Sequence, residues 1–477
     1  MSGPAGILFA LPPFPGAKPH QALRPAPGQI AAGSAEDLIA AWRAHGFMPG
    51  FWNRPEVSPD PAAAQLAARL ATPGDAAQEA ALRDEVSQRL LRDLRYHDPF
   101  TGAPTTPAAL IAILAGWQRL VTANRPIAAA FGFAHWKRDT VDPLLWGGHP
   151  VPFRPARLAE LRQLPPGAQI AVWKARVPDD MLERIETGPW RVVEVEDGFI
   201  RSIGLGADCV PPLSIVVDDL GIHYDLHRPS RLEQMLATGH FGPEDLARAR
   251  LLRARLVREG VGKYGVGAVA ALARPGGERR HILVVGQVED DRSMLFGSTG
   301  IRSNLDLLTR VRALEPDAYL VYRPHPDVAA GHRRGAIPPD VALRHANMVD
   351  PGNPISALIG MADEVHVITS LAGFEALMQG KPVTTHGTPF FAGWGLTHDL
   401  AAIPARRGVK RSVDELVVAT LLQYPRYLDP VTNLPCTAEI LVSQLLSGAQ
   451  RQNGALVWLR RLQGKLTGLV KHLAGAR

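Results

Sequence analysis

Short apolar runs alternate with longer amphipathic stretches over most of the chain. The runs include Gln169-Ile-Ala-Val-Trp, Arg191-Val-Val-Glu-Val, Ile215-Val-Val-Asp, His281-Ile-Leu-Val-Val, Ala318-Tyr-Leu-Val-Tyr, Glu364-Val-His-Val-Ile and Pro382-Val-Thr-Thr. Each is bounded by turn residues and has the length of a buried strand. Between them, Pro243–Glu259, Ser303–Leu314 and Leu371–Gln379 repeat apolar residues at helical spacing. Pro243 suits a first helical position, where its missing N–H is no loss. Strand and helix in alternation predict open parallel α/β sheets. The polar stretch Arg274-Pro-Gly-Gly-Glu-Arg-Arg predicts a linker at 274–280. It divides one Rossmann-like half, 124–273, from a second, 281–446. Ligands then bind in the cleft, at the carboxyl ends of strands.

The ends read differently. Residues 1–75 are rich in Ala, Pro and Gly and read as loosely structured, with one helical stretch at Ala35–His45. Gln78 to Arg95 has helical spacing. Arg95-Tyr-His-Asp-Pro-Phe-Thr-Gly-Ala-Pro-Thr-Thr then shares seven residues in register with Arg426-Tyr-Leu-Asp-Pro-Val-Thr-Asn-Leu-Pro-Cys-Thr. A punctuation mark repeated so far apart implies that each copy closes a module. On that reading 1–94 is an N-terminal extension left from a mostly deleted module, and 95–123 is the boundary segment. At 447–477, Trp458, Leu459, Leu462, Leu466, Leu469, Val470 and Leu473 share one side, with Arg460, Arg461, Lys465 and Lys471 opposite. That predicts a basic amphipathic helix suited to an anionic membrane surface.

Composition narrows the classes. In 477 residues, hydrophobic content of 46% supplies real cores, and no apolar run is long enough to span a bilayer. The N-terminal apolar stretch lacks a basic residue before it, so a cytoplasmic protein is expected, peripheral on the inner face of the membrane. A net charge of +6 is mild and argues for anionic substrates or surfaces rather than nucleic acid. Two cysteines make neither a disulfide framework nor a metal cluster. Walker and GxGxxG loops are absent.

Candidate chemistry gathers where strands end. Glu196-Asp197-Gly198 follows a strand, where a carboxylate deprotonates an acceptor or attacks an anomeric carbon. Arg201 and Ser202 stand just beyond; Arg201 either grips a substrate carboxylate or pairs with Glu196. Asp218, Tyr224 and Asp225 read more readily as turn residues than as sugar ligands. Gly286 and Gln287 close another strand, and Asp290 lies in the polar loop after it as a ligand contact. The acids of that loop lack calcium-loop spacing, so no metal is expected. In Tyr322-Arg-Pro-His-Pro-Asp327, two prolines fix His325, and Arg323 and His325 together suit a phosphate leaving group. Thr369 and Ser370 open a helix, where amides favour an anion, and Glu375, one turn in, reaches a ribose. Phe390 and Trp394 belong to a glycine and aromatic loop that closes over the site or simply packs.

Together these segments resemble the KpsC family of capsule β-Kdo transferases. Glu196-Asp-Gly-Phe-Ile-Arg-Ser-Ile-Gly-Leu-Gly, Tyr322-Arg-Pro-His-Pro-Asp, Thr369-Ser-Leu-Ala-Gly-Phe-Glu-Ala-Leu and Pro389-Phe-Phe-Ala-Gly-Trp-Gly-Leu-Thr carry the resemblance. The acid-acid-Gly and His-Pro pair is also similar to that of bacterial CMP-sialic acid transferases. The resemblance implies a GT-B fold and transfer of β-Kdo from CMP-β-Kdo to a Kdo-primed lipid acceptor, with no cofactor and no metal. It implies Asp197 as nucleophile of a double displacement, supported by Glu196, with His325 at the departing CMP. Ser370 and Thr369 hold the phosphate, and Glu375 the ribose. Family members commonly hold two modules, and this chain has room for one, resembling the second. Other capsule assembly proteins are expected partners. Two further readings stay open: an inverting GT-B transferase with another donor, and a non-catalytic assembly or export factor.

Overall fold

A computed structural model describes residues 4–53, 60–202, 210–262, 271–298 and 300–449. The basic helix expected at 447–477 falls outside these, apart from its first three residues.

The first half is a mixed sheet. β1 (Leu23–Ile30), β2 (Arg92–His97) and β3 (Pro104–Thr105) form a separate antiparallel sheet before it. β4 (Ile127–Phe131), β5 (Phe153–Arg154), β6 (Gln169–Val172) and β7 (Arg191–Asp197) then pair in parallel, in the order β5-β4-β6-β7. β8 (Ser214–Asp218) joins β7 antiparallel, with Asp197 opposite Ile215. The expected all-parallel sheet is therefore corrected at this strand. β4 and β6 are mostly Ile, Ala, Val and Phe, as expected of strands inside a parallel sheet.

The second half is wholly parallel. β9 (His281–Val285), β10 (Tyr319–Arg323), β11 (Met348–Val349), β12 (Glu364–Val367), β13 (Val383–Thr385) and β14 (His398–Asp399) run in the order β11-β10-β9-β12-β13-β14. The order reverses at β9, and doubly wound sheets bind ligands beside such a switch point.

The chain does not end there. β15 (Pro425–Leu428) and β16 (Pro435–Cys436) return to the first sheet, β15 pairing antiparallel with β8. The boundary expected at 446 is thus displaced, because the closing strands of the module complete the sheet that opened it. Arginines staple the returning segment. Arg407 Nε donates to Glu233 at 2.9 Å, with both side chains buried, and Arg411 donates to the carbonyls of Leu236 and Gly239. Arg406 donates to the carbonyls of Leu226 and Arg228.

The N-terminal region is folded, contrary to the loose structure expected of 1–75. Helices span Ala35–His45, Pro61–Ala71 and Ala76–Val86. Phe9, Phe14, Trp42, Phe47 and Phe51 anchor a core that reaches helix Pro107–Asn124. A few large aromatics outweigh the Ala, Pro and Gly around them, since each buries far more apolar surface. The helical spacing before Arg95 is also cut short. The helix ends at Val86, a π-helical turn covers Ser87–Leu91, and β2 follows.

The two matching segments adopt one local structure. Each follows a π-helical turn, Ser87–Leu91 or Val418–Gln423. Tyr96 and Tyr427 each donate a hydroxyl to the carbonyl six residues earlier, at 2.7 Å. Asp98 and Asp429 each accept two amides in the turn that follows, and Gly102 and Asn433 take positive φ of 70° and 57° at its end. No helix among the described residues is long and apolar enough to cross a membrane.

Candidate active site

A cleft of about 930 Å³ lies between the halves and is lined from both. Its floor is made where β4, β7, β9, β10 and β12 end. Gly198 must be small, because a Cβ there would stand 2.2 Å from Ser214 Oγ. That lets the chain turn directly beneath the acid pair.

Glu196 and Asp197 are the last residues of β7 and differ in environment. Lys137 Nζ donates to Asp197 Oδ1 at 3.1 Å, and Arg201 Nε to Oδ2 at 2.8 Å. The Asp197 charge is thus balanced on both oxygens. Glu196 accepts the Asp197 amide at 2.9 Å and lies deep in the cleft. Burial foremost, then the charge of Asp197, raises its carboxyl to about 7, with Lys137 acting in the opposite sense and Asp291 in the same one. A carboxyl near neutrality can both take and give a proton at the working pH.

Lys137 is absent from the sequence reading. It sits in a single 3₁₀ turn after β4, with its ammonium 3.4 Å from the ring centre of Trp173. Burial lowers its pKa, and Asp197 opposes that. Arg201, wholly buried, donates also to Ser202 Oγ and to the Val210 carbonyl. It therefore pairs with Asp197, not Glu196, and braces the turn. Ser202 is buried behind it and does not line the cleft.

The loop after β9 is corrected by one residue. Asp290 is exposed, pairs with Arg333 and does not line the cleft. Asp291 does line it. It caps helix Arg292–Gly297 and accepts from the Arg292 amide and the Ser293 hydroxyl, with no ion pair among the described residues. Gln287 is a brace. It is buried, donates to Thr369 Oγ1 at 2.7 Å and to Ser293 Oγ at 2.9 Å, and accepts the Thr369 amide. Gly286 is needed beside Tyr322, whose hydroxyl would lie 2.6 Å from any Cβ.

The opposite wall suits a phosphate. His325 Nδ1 accepts the Asp327 amide at 3.1 Å, so a neutral ring carries its proton on Nε2. Arg323 lines the same wall and donates to the Asp350 carbonyl. Ser370 and Thr369 stand before helix Ala372–Met378, with Glu375 in its first turn, and all three line the cleft. Tyr224 and Phe390 line it too. Asp218 and Asp225 serve turns: Asp218 accepts amides of Leu220, Gly221 and Arg231, and Asp225 that of His227. Trp394 is buried and donates to the Phe390 carbonyl, so it packs.

Comparison with known proteins identifies the family. The family described as "Capsule polysaccharide biosynthesis protein" matches residues 170–259 and 238–427. The capsule polysaccharide modification protein LipA of Neisseria meningitidis serogroup A is 38% identical over 373 residues, 76% of this chain and 52% of that protein. The chain thus spans about half the length of that relative. The lipopolysaccharide-processing protein LpsZ of Rhizobium meliloti is 37% identical over 351 residues, 69% of this chain and 76% of LpsZ. Two solved structures of Thermosulfurimonas dismutans KpsC align. The β-Kdo 2,7 transferase shows 34% identity and a TM-score of 0.55, over 67% of this chain and 99% of that one. The β-Kdo 2,4 transferase shows 26% and 0.57, over 67% and 98%.

Proposed function

The chain belongs to the KpsC-type capsule polysaccharide biosynthesis family and has its GT-B-like fold, and from that premise we propose that it transfers β-Kdo from CMP-β-Kdo to a Kdo-primed lipid. The carrying observation is the pairing, across one cleft, of the acid pair Glu196 and Asp197 at the end of β7 with a wall built from Arg323, His325 and Ser370. The first moves an acceptor proton, and the second receives a departing phosphate.

Donor and product share the β configuration on this reading, so the anomeric carbon is displaced twice. A carboxylate attacks that carbon and breaks its bond to the CMP oxygen. CMP leaves with the electron pair, met by Arg323 and His325. The acceptor hydroxyl then displaces the carboxylate while Glu196 takes its proton. Asp197 and Asp291 both reach the cleft. We assign the attack to Asp291, because two cations hold the Asp197 oxygens whereas Asp291 accepts only from neutral donors. Asp197 then fixes Lys137 and Arg201 beside Glu196. No step calls on a metal or cofactor.

The fold overlays almost equally on both transferases, and the higher sequence identity to the 2,7 transferase is the ground for a 2,7 linkage. A lipid acceptor places the protein at the inner, anionic face of the membrane, beside other capsule assembly proteins. The test is incubation with CMP-Kdo, generated in situ, and a short Kdo-primed lipid analogue, followed by mass and NMR analysis. A β-2,7-linked product is expected. Neither turnover nor CMP binding would favour the assembly role, and an α-linked product would favour inversion.

A further inference from the structure

We propose that Arg292 receives the carboxylate of the donor sugar and so selects a keto-acid sugar over a neutral one. The inference deepens the Kdo-transferase reading and rests on it. In such a sugar the anomeric carbon itself bears a carboxylate. Wherever the reacting carbon sits, that charge sits one bond away, and a cleft holding acids must offer it a cation.

The cations of the cleft are largely committed. Lys137 and Arg201 both hold Asp197. Arg333 pairs with Asp290. Arg323 belongs to the phosphate wall and donates to the Asp350 carbonyl. Arg176 lines the cleft as well, but it is exposed to solvent, where a charge needs no partner. Arg292 lines the cleft, is half-buried and makes no ion pair among the described residues.

Its geometry suits the task. Arg292 follows Asp291 in the chain and opens helix Arg292–Gly297. Its guanidinium lies 4.9 Å from the ring centre of Phe296, one turn on. Stacking fixes the guanidinium plane and leaves its edge to grip a carboxylate through two parallel N–H bonds. Nε is buried and has no hydrogen-bond partner among the described residues, a deficit that a ligand oxygen would fill. Tyr224 of the first half lines the same cleft, its ring centre 6.5 Å from that of Phe296. A neutral hexose offers nothing to this edge and leaves it buried and unmatched.

The experiment measures binding to three probes by calorimetry: CMP, a CMP-Kdo analogue with carbon in place of the bridging oxygen, and that analogue as its carboxamide. Arg292→Gln should bind CMP as the wild type does and lose roughly 10- to 100-fold in affinity for the acid analogue, the span of one charge-assisted contact. It should match the wild type on the carboxamide. Arg292→Lys should recover part of the loss on the acid. Intact CMP binding certifies the fold of each variant, and should Arg292→Gln not bind CMP, Arg292→Lys carries the same comparison. Equal losses on acid and carboxamide, or none on either, would overturn the assignment. A wild-type protein that binds CMP but not the acid analogue would overturn the donor reading instead.

Discussion

The ammonium of Lys137 stands 3.1 Å from one oxygen of Asp197, while Arg201 holds the other oxygen at 2.8 Å. Asp197 is thus a junction of charges and not a free acid, and Glu196 beside it feels the balance. Burial and Asp197 push the Glu196 carboxyl up to about 7, Lys137 pulls it down, and Asp291 adds to the rise. Removing Lys137 therefore raises Glu196 further. Since Glu196 must be ionised to take the acceptor proton, the ascending limb of the pH–rate profile should move to higher pH in Lys137→Met. Lys137→Arg should hold it near the wild-type position. A limb that stays put in Lys137→Met would separate Lys137 from the proton transfer.

The three acids should fail in different ways. Asp291→Asn should abolish donor cleavage. Glu196→Gln should slow acceptor transfer by roughly 100- to 10,000-fold, the usual share of a general base. It should also let a covalent sugar accumulate on the enzyme. Peptide mapping of that adduct should find it on Asp291; an adduct on Asp197 would return the nucleophile to the acid pair.

The phosphate wall predicts a loss of CMP affinity. His325→Ala and Ser370→Ala should each weaken binding by about 1.5–3 kcal/mol, as for a hydrogen bond to a charged group. Calorimetry with CMP alone reads this without the acceptor, and unchanged affinity in both would move the phosphate elsewhere.

Glu233 and Arg407 form a buried ion pair between the two halves. Glu233→Ala leaves Arg407 charged and unmatched, and should destabilise the fold by about 3–5 kcal/mol. Replacing both by leucine and methionine should cost much less, which urea unfolding of the single and double variants will show.

Acid should weaken the second half through β12 and β13. Burial holds His386 at about 3, below its ordinary 6.5. Between those values the unfolded chain takes a proton that the folded one refuses, so stability falls as pH falls, by up to about 1.4 kcal/mol per unit. Glu364, held at about 2 first by its hydrogen bond to His366, extends the loss below its ordinary 4.5. Melting temperatures of His386→Asn should fall less steeply between those limits than those of the wild type.

Most of the cleft was legible because it is built from strand ends. Glu196, Arg323, His325, Thr369 and Ser370 each follow an apolar run that declares its own length. Lys137 escaped because β4 is mostly alanine, Ile127-Ala-Ala-Ala-Phe131, with little β-branched signal. Among neighbouring acids, the choice between Asp290 and Asp291 depends on which way a loop faces. The capping position of Asp291, ahead of Arg292-Ser-Met-Leu-Phe, was the signal available. Ser202 was misplaced for a related reason: alternation stops at Gly198, so nothing in the sequence told inside from cleft. The return of β15 to the first sheet was hidden because strand pairing between distant segments leaves no local trace.

The return segment also sets how the two halves can move. Bodies joined by a single tether swivel freely about it. Here the chain passes over between Arg258 and His281 and comes back between Asp399 and Val413, where Arg406, Arg407 and Arg411 grip the first half. Two crossings resist the free swivel that one would allow, and these arginines hold the second of them. A hinge of that kind would open or shut the mouth of the cleft, where Arg292 and Asp291 of one half and Glu196 of the other stand together. The chain path itself thus limits how far the two walls of the cleft can slip out of line.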